Sequence, residues 1–203
     1  MKPDFWPAAT AHLARRDKVL RKLVKAGPKA DLVSRGDAFQ TLARAIVGQQ
    51  ISVKAAQSIW GRFVECVGKV TPDNVEATDG AAMRACGFSG QKVVYVKDLA
   101  RHFNSGEVKP RRWAKMDDEA IIEELVAVKG IGRWTVEMFL IFHLLRPDVL
   151  PVDDLGLRRA MERAYNEGAP LTRAEMREIG EPWAPYRSVA TWYLWRSLDA
   201  VGI

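Results

Sequence analysis

Gly130 and Gly132 stand one residue apart in the run Val128, Lys129, Gly130, Ile131, Gly132, Arg133, Trp134, Thr135, between two apolar helical patterns. A tight turn there would free its backbone N–H groups, and a helix starting directly behind it adds the unpaired donors and positive dipole end of its first turn. Such an arrangement suits a phosphate oxygen. Further along, Pro151, Val152, Asp153 and Asp154 place two carboxylates before another helical pattern. A carboxylate in that position can cap the helix, or it can stabilise developing positive charge and orient water at a reacting centre. Either feature alone is common scaffolding. Together and in this order, one can hold a phosphate backbone while the other does chemistry.

The elements that must position these residues are helical. Leu13, Val19, Leu20, Leu23 and Val24 form one amphipathic face, ended by Gly27 and Pro28. Residues 39–47 read as a second helix, and Ser52 as the cap of a third running to about Val67. The pattern continues over 81–86, 91–103, 117–128, 134–145, 155–165, 173–179 and 187–198. No stretch alternates apolar and polar residues between hairpin turns. The expected fold is all-α and two-lobed, with residues 1–36 plus 150–203 as one lobe and 37–149 as the other. A cleft between the lobes would be walled by the glycine turn and Asp154.

Composition bounds the function. At 203 residues, 48% hydrophobic and 28% charged, the chain can bury a real core. Lys and Arg outnumber Asp and Glu by 31 to 25, a net charge of +6, which favours a polyanionic partner and also serves plain solubility. Cys66 and Cys86 make neither a disulfide framework nor a cysteine metal site, and both sit in apolar patterns that predict buried, reduced thiols. Met1 to Trp6 lacks the apolar core of a signal peptide, and no apolar run is long enough to span a bilayer. These observations predict a cytoplasmic monomer with no membrane association, nucleoid-associated in a bacterial cell. His12, His102 and His143 share no spacing of interest.

Three blocks together carry a resemblance. The turn 128–135, the acidic block 151–154 and the run Ile46, Val47, Gly48, Gln49, Gln50, Ile51, Ser52, Val53, Lys54, Ala55, Ala56 resemble the helix-hairpin-helix DNA glycosylase superfamily, in its 3-methyladenine DNA glycosylase II branch. The likeness extends from about residue 38 to 198, with the helix-hairpin-helix at about 125–142. It implies a DNA repair enzyme that flips an alkylated purine (3-methyladenine, 7-methylguanine and related lesions) out of double-stranded DNA and hydrolyses its N-glycosidic bond. Asp154 would be the catalytic carboxylate, with Asp153 left as its helix-capping structural partner. Trp134, Met138 and Trp195 would form the base pocket, while the remaining tryptophans pack the core or surface. Gln50 would fill the gap left by the flipped nucleotide. Ser89, Gly130, Gly132 and Arg133 would contact the DNA backbone, with Lys129 also near the turn. No cofactor would be required, although the main-chain carbonyls of Val126, Val128 and Ile131 are where a monovalent cation would join the hairpin.

The implied chemistry is physically coherent. Base excision passes through an oxocarbenium-like sugar, which one ionised carboxylate can stabilise. Alkylation makes the purine cationic and a better leaving group, and an indole face attracts such a cation by about 0.5–2 kcal/mol. Superfamily members that also cleave the strand carry a lysine two residues after the glycine turn, where Trp134 stands here, so the resemblance implies a monofunctional enzyme. The iron–sulfur cysteines of other branches are missing. Two alternatives remain open at this point: a bifunctional glycosylase/lyase, and a helix-hairpin-helix module that binds DNA without chemistry.

Overall fold

In the computed structural model, residues 3–27, 32, 34 and 36–199 are described; Met1, Lys2 and Pro28, used above, lie outside them. Twelve α-helices and two short 3-10 turns make up the regular structure of the described residues, which contain no strand. No helix among them is long and apolar enough to cross a membrane. The chain divides into two compact units, residues 1–34 with 140–203, and residues 35–139.

The terminal unit begins with α1 (Trp6–Arg16) and α2 (Lys18–Ala26). Sequence periodicity read these as one face, but Asp17 interrupts them. Its extended backbone ends α1, and its carboxylate accepts the N–H groups of Val19 (2.7 Å) and Leu20 (2.9 Å) to start α2. The other oxygen, Oδ2, accepts the Tyr165 hydroxyl and the Trp183 indole N–H, each at 2.9 Å. Burial, and then the facing Asp17 charge, push the Tyr165 hydroxyl well above the ordinary tyrosine range. Later in the same unit come α10 (Leu155–Tyr165), α11 (Arg173–Gly180, opened by a Thr172/Glu175 capping box) and α12 (Arg187–Asp199). Trp6 meets Trp192 edge-on at 5.3 Å, closing α1 onto α12.

The central unit holds α3 (Ala38–Gly48), α4 (Val53–Val67), α5 (Pro72–Ala77), α6 (Gly80–Ala85), α7 (Gly90–Asn104), α8 (Asp118–Val126) and most of α9 (Arg133–Phe142). Asp37, Ser52, Thr71, Asp79, Ser89 and Asp117 each cap the helix that follows them by accepting a first-turn N–H. α5 escaped the periodicity because its six residues bury Val75 alone. Phe39 against Phe103, Phe63 against Phe88 and Trp113 against Phe139 form the aromatic core.

Two expectations need correcting. The second boundary falls at residue 140 rather than 150, because the stretch after α9 is tied to α12. Ser188 Oγ accepts the Val149 N–H, the Ser188 N–H donates to Pro147, and Arg187 grips both Asp148 oxygens at 2.7 Å. Cys66 is exposed rather than buried, lying in the last turn of α4 beyond the buried Trp60 and Phe63; Cys86 is buried, which pushes its thiol up.

Asp17→Asn retains the capping oxygen but turns an amide toward two buried donors. The variant is expected to lose about 2–4 kcal/mol in a urea melt, since each unsatisfied donor costs about 1–3 kcal/mol. A loss below about 0.5 kcal/mol would mean that those donors reach water instead.

Candidate functional site

The glycine turn connects α8 to α9. Val128 N–H donates to Leu125 and Ile131 N–H to Val128, which tightens the chain, and Gly130 sits at φ +81°. A side chain at that residue faces a second obstacle, because a Cβ on Gly130 would lie 2.2 Å from the Tyr95 ring. The turn is thus laid directly on α7 and held there by two further bonds. Asp98 accepts the Lys129 N–H at 2.9 Å, and Gln49 donates from its amide to the Gly130 carbonyl at 2.8 Å. Burial alone would raise the Asp98 carboxyl, but the Lys129 N–H and Arg101, helped by the His102 charge, bring it below the usual carboxylate value. The N–H groups of Gly130 and Gly132 donate to no group among the described residues. Both are available as donors.

Gln50, Ser89 and Gly130 line one recess of roughly 510 Å³, together with Gln49, Lys92 and Tyr95. Gln50 is exposed and left-handed, at φ +58°, a backbone conformation costly for a residue with a side chain. The turn is stabilised from beneath by Lys92, whose ammonium donates to the carbonyls of Val47 (2.7 Å) and Gln49 (2.8 Å) at the end of α3. Burial pushes that ammonium below the ordinary lysine range. Ser89 caps α7 by accepting the Lys92 N–H at 3.2 Å. Lys92, Tyr95, Asp98 and the role of Gln49 were missed by sequence reasoning. Their spacing of three (92, 95, 98) is a helical stripe, the one signal that could have grouped them.

Arg133 braces the hairpin. Its Nη atoms donate to both oxygens of Glu119 and its Nε to Glu137, so the guanidinium joins α8 to α9 while half of the side chain stays exposed. The Glu119 hydrogen bond holds Arg133 above its ordinary value, and the same bond lowers Glu119. Of the three carbonyl residues, Val128 and Ile131 are buried side chains and Val126 is 40% exposed. The Val128 carbonyl already accepts the Ile131 N–H.

In the terminal unit the cap falls on Asp154 and not on Asp153. The helix α10 begins at Leu155, so Asp154 itself is the N-cap, accepting the Leu157 N–H at 2.6 Å. Asp153, expected as the cap, lies outside the helix and pairs with Arg173. Asp154 Oδ1 also accepts the Trp195 indole N–H at 2.7 Å. The Trp195 ring stacks on Phe142 at 5.6 Å with 14° between planes, and Phe142 is 42% exposed. Gly156 allows this packing, since a Cβ there would come within 3.1 Å of Asp154 and 3.2 Å of Trp195. Trp195 is therefore half-buried and positions the carboxylate, a role its sequence position did not reveal. Trp134, in the first turn of α9, is 47% exposed, and Met138 one turn on is half-buried.

Residues 43–185 match the family model of the HhH-GPD superfamily base excision DNA repair protein. The chain is 36% identical to DNA-3-methyladenine glycosylase 1 of Schizosaccharomyces pombe over 93% of this chain and 86% of that protein. Among solved structures it is similar to the Schizosaccharomyces pombe 3-methyladenine DNA glycosylase Mag1 in complex with abasic DNA. That match has a TM-score of 0.81 at 36% identity, covering 95% of this chain and 97% of the other. It is also similar to a DNA-3-methyladenine glycosidase of Bacillus halodurans, with a TM-score of 0.88 at 34% identity, covering 93% and 88%.

Gly130→Ala combines left-handed backbone strain with a collision against Tyr95, and is expected to destabilise the protein by about 2–4 kcal/mol in chemical denaturation. Gly132→Ala, where a Cβ meets nothing within 4 Å, should cost less than about 1 kcal/mol. Equal effects at the two glycines would contradict the close approach of α7.

Proposed function

The chain belongs to the HhH-GPD superfamily of base excision DNA repair proteins, and from that membership we propose a division of labour in which Asp154 acts on the sugar while the Gln50 turn and the hairpin hold the DNA. The enzyme is a monofunctional DNA glycosylase that excises alkylated bases by hydrolysing their N-glycosyl bonds. The observation that carries the catalytic assignment is Asp154 itself: an N-cap carboxylate oriented by two N–H donors on one oxygen.

Departure of the base leaves positive charge on the sugar, centred on C1′ and the ring oxygen. A carboxylate fixed before that charge appears stabilises it without reorganisation, and can also orient the attacking water. The helix dipole of α10 and the Trp195 N–H fix Asp154 in one orientation. A base alkylated at N3 or N7 already carries positive charge, so its departure needs little protonation, and a single carboxylate suffices. The substrate we infer is accordingly an alkylated purine in duplex DNA, extruded from the stack so that the bond can be reached. Trp134 and Met138 offer apolar surface for it, and the exposed indole attracts a cationic ring.

Gln50 is the side chain proposed to occupy the vacated place in the helix. Its left-handed backbone lifts an amide out of the end of α3, and Lys92 holds that turn in place. The N–H groups of Gly130 and Gly132 and the first turn of α7 behind Ser89 are the proposed phosphate ligands. This chemistry requires no cofactor. A monovalent cation would suit the carbonyls of Val126, Val128 and Ile131, since Val128 retains a second lone pair after accepting the Ile131 N–H. Bound there, it would add positive charge opposite a phosphate.

Asparagine caps a helix as well as aspartate does, so Asp154→Asn should fold normally. Its single-turnover release of base from methylated duplex DNA is expected to fall by about 10²–10³-fold, and neither protein should form a borohydride-trapped adduct. Near-native release by Asp154→Asn would overturn the mechanism.

Lys92→Met is expected to weaken binding to a duplex with an abasic site by about tenfold, equivalent to about 1.4 kcal/mol. In a Gln50→Ala background the same change should have no further effect, because the two residues act as one unit. Additive losses would show that Lys92 supports the fold rather than Gln50.

A further inference from the structure

Neither the site nor its phosphate ligands use the outer surface of α1 and α2, where the charge of the molecule is concentrated. Between residues 15 and 25 lie six cations, Arg15, Arg16, Lys18, Arg21, Lys22 and Lys25, against one acid. All six are exposed, and none forms an ion pair among the described residues. Arg21 donates its Nε to the Ala14 carbonyl at 2.6 Å, which holds that guanidinium alongside the end of α1. The one acid of the segment, Asp17, is turned inward to Tyr165 and Trp183 and does not face the cations. Lys18, Arg21, Lys22 and Lys25 stand at i, i+3, i+4 and i+7, a single stripe along one face of α2, while Leu20 is buried on the other.

Like charges at these spacings repel, so the stripe works against the folded helix. A second run of cations, Lys109, Arg111, Arg112 and Lys115, lies among as many acids in the chain, Glu107, Asp117, Asp118 and Glu119, although Glu119 pairs with Arg133 and Glu107 with Arg101 and His102. No such balance exists on α2. From this charge complementarity we propose that the α2 stripe is a second DNA-binding surface, which takes the phosphate backbone of duplex DNA without reading its sequence. The inference rests on the DNA-repair reading above for its choice of polyanion. The stripe spans about 10 Å of helix at 1.5 Å per residue, a length over which duplex DNA presents about six phosphates. It offers no exposed aromatic residue for stacking on single-stranded bases, and this favours duplex over single strand.

The test is the salt dependence of binding to an undamaged duplex of about three helical turns (about 100 Å at 34 Å per turn). Two variants remove four charges each: Lys18→Gln with Arg21→Gln, Lys22→Gln and Lys25→Gln; and Lys109→Gln with Arg111→Gln, Arg112→Gln and Lys115→Gln. The α2 variant is expected to reduce the slope of log affinity against log salt by about 2–4, near 0.9 for each phosphate no longer neutralised. Its melting temperature should hold or rise, because repulsion along α2 is removed. The second variant, with the same net charge, should change the slope by less than about 1. Equal effects from both variants, or an unchanged slope in the α2 variant, would overturn the proposal. So would an α2 variant that keeps its duplex affinity but loses retention on polyglutamate or anionic vesicles. A parent protein that fails to bind any duplex would instead remove the DNA-repair reading itself, so the two failures are distinguishable.

Discussion

The approach of the Tyr95 ring to the backbone of Gly130 is the interaction on which the central unit's candidate site depends. The ring occupies the place where any other residue's side chain would begin. Because that place is empty, the turn between α8 and α9 lies on α7 closely enough for short bonds to form on both sides. Asp98 takes the Lys129 N–H, and Gln49 reaches the Gly130 carbonyl. Lys92, one turn before Tyr95 on the same helix, then holds the carbonyl end of α3. Segments near residues 49, 92 and 130 are so joined around one recess, which Gln50 and Gly130 line. A Cβ on Gly130 would press into the Tyr95 ring and disturb the seat of the turn on α7.

The terminal unit uses one device twice. Asp17 and Asp154 each cap a helix through Oδ1, and each accepts a tryptophan N–H. At Asp17 the tryptophan and a tyrosine take the second oxygen, so both carboxylate oxygens serve the fold. At Asp154 the cap and the indole share Oδ1, and they orient the carboxylate from one side. The same local chemistry therefore serves a structural hub at Asp17 and orients the carboxylate proposed as catalytic at Asp154. Gly156 is the residue that admits the second arrangement, since a methyl group there would press on both partners.

Charge is sorted along comparable lines. Arg133 stands beside the hairpin, yet it serves as a brace between Glu119 and Glu137. Lys92 is turned onto backbone carbonyls and partly desolvated. The cations left unpaired on a helix face, among the described residues, include those of α2, far in the sequence from the proposed catalytic Asp154. Proximity to the hairpin did not reveal that Arg133 is also held by two carboxylates, an arrangement set by the packing of α8 on α9.

The amino-acid sequence by itself determined the helical class, most helix starts, the glycine turn and the family. Each of these is written in interactions between residues a few positions apart: the period of apolar side chains, a serine or aspartate beside a first-turn N–H, a glycine where φ must be positive. Helix periodicity was enough to place α10 at 155–165, but not to decide whether Asp153 or Asp154 caps it, since a shift of one residue leaves the pattern intact. The break at Asp17 was hidden for a similar reason, because α1 and α2 share one apolar face. Tertiary structure alone decided that Trp195 orients Asp154, that Lys92 supports the Gln50 turn, that Asp98 and Tyr95 seat the hairpin, and that residues 140–149 belong with α12. Those partnerships join residues between 31 and 81 positions apart, as with Lys129 to Asp98 and Gln49 to Gly130. No local pattern encodes them, because a donor and an acceptor so far apart in the chain meet only after the helices that carry them have packed.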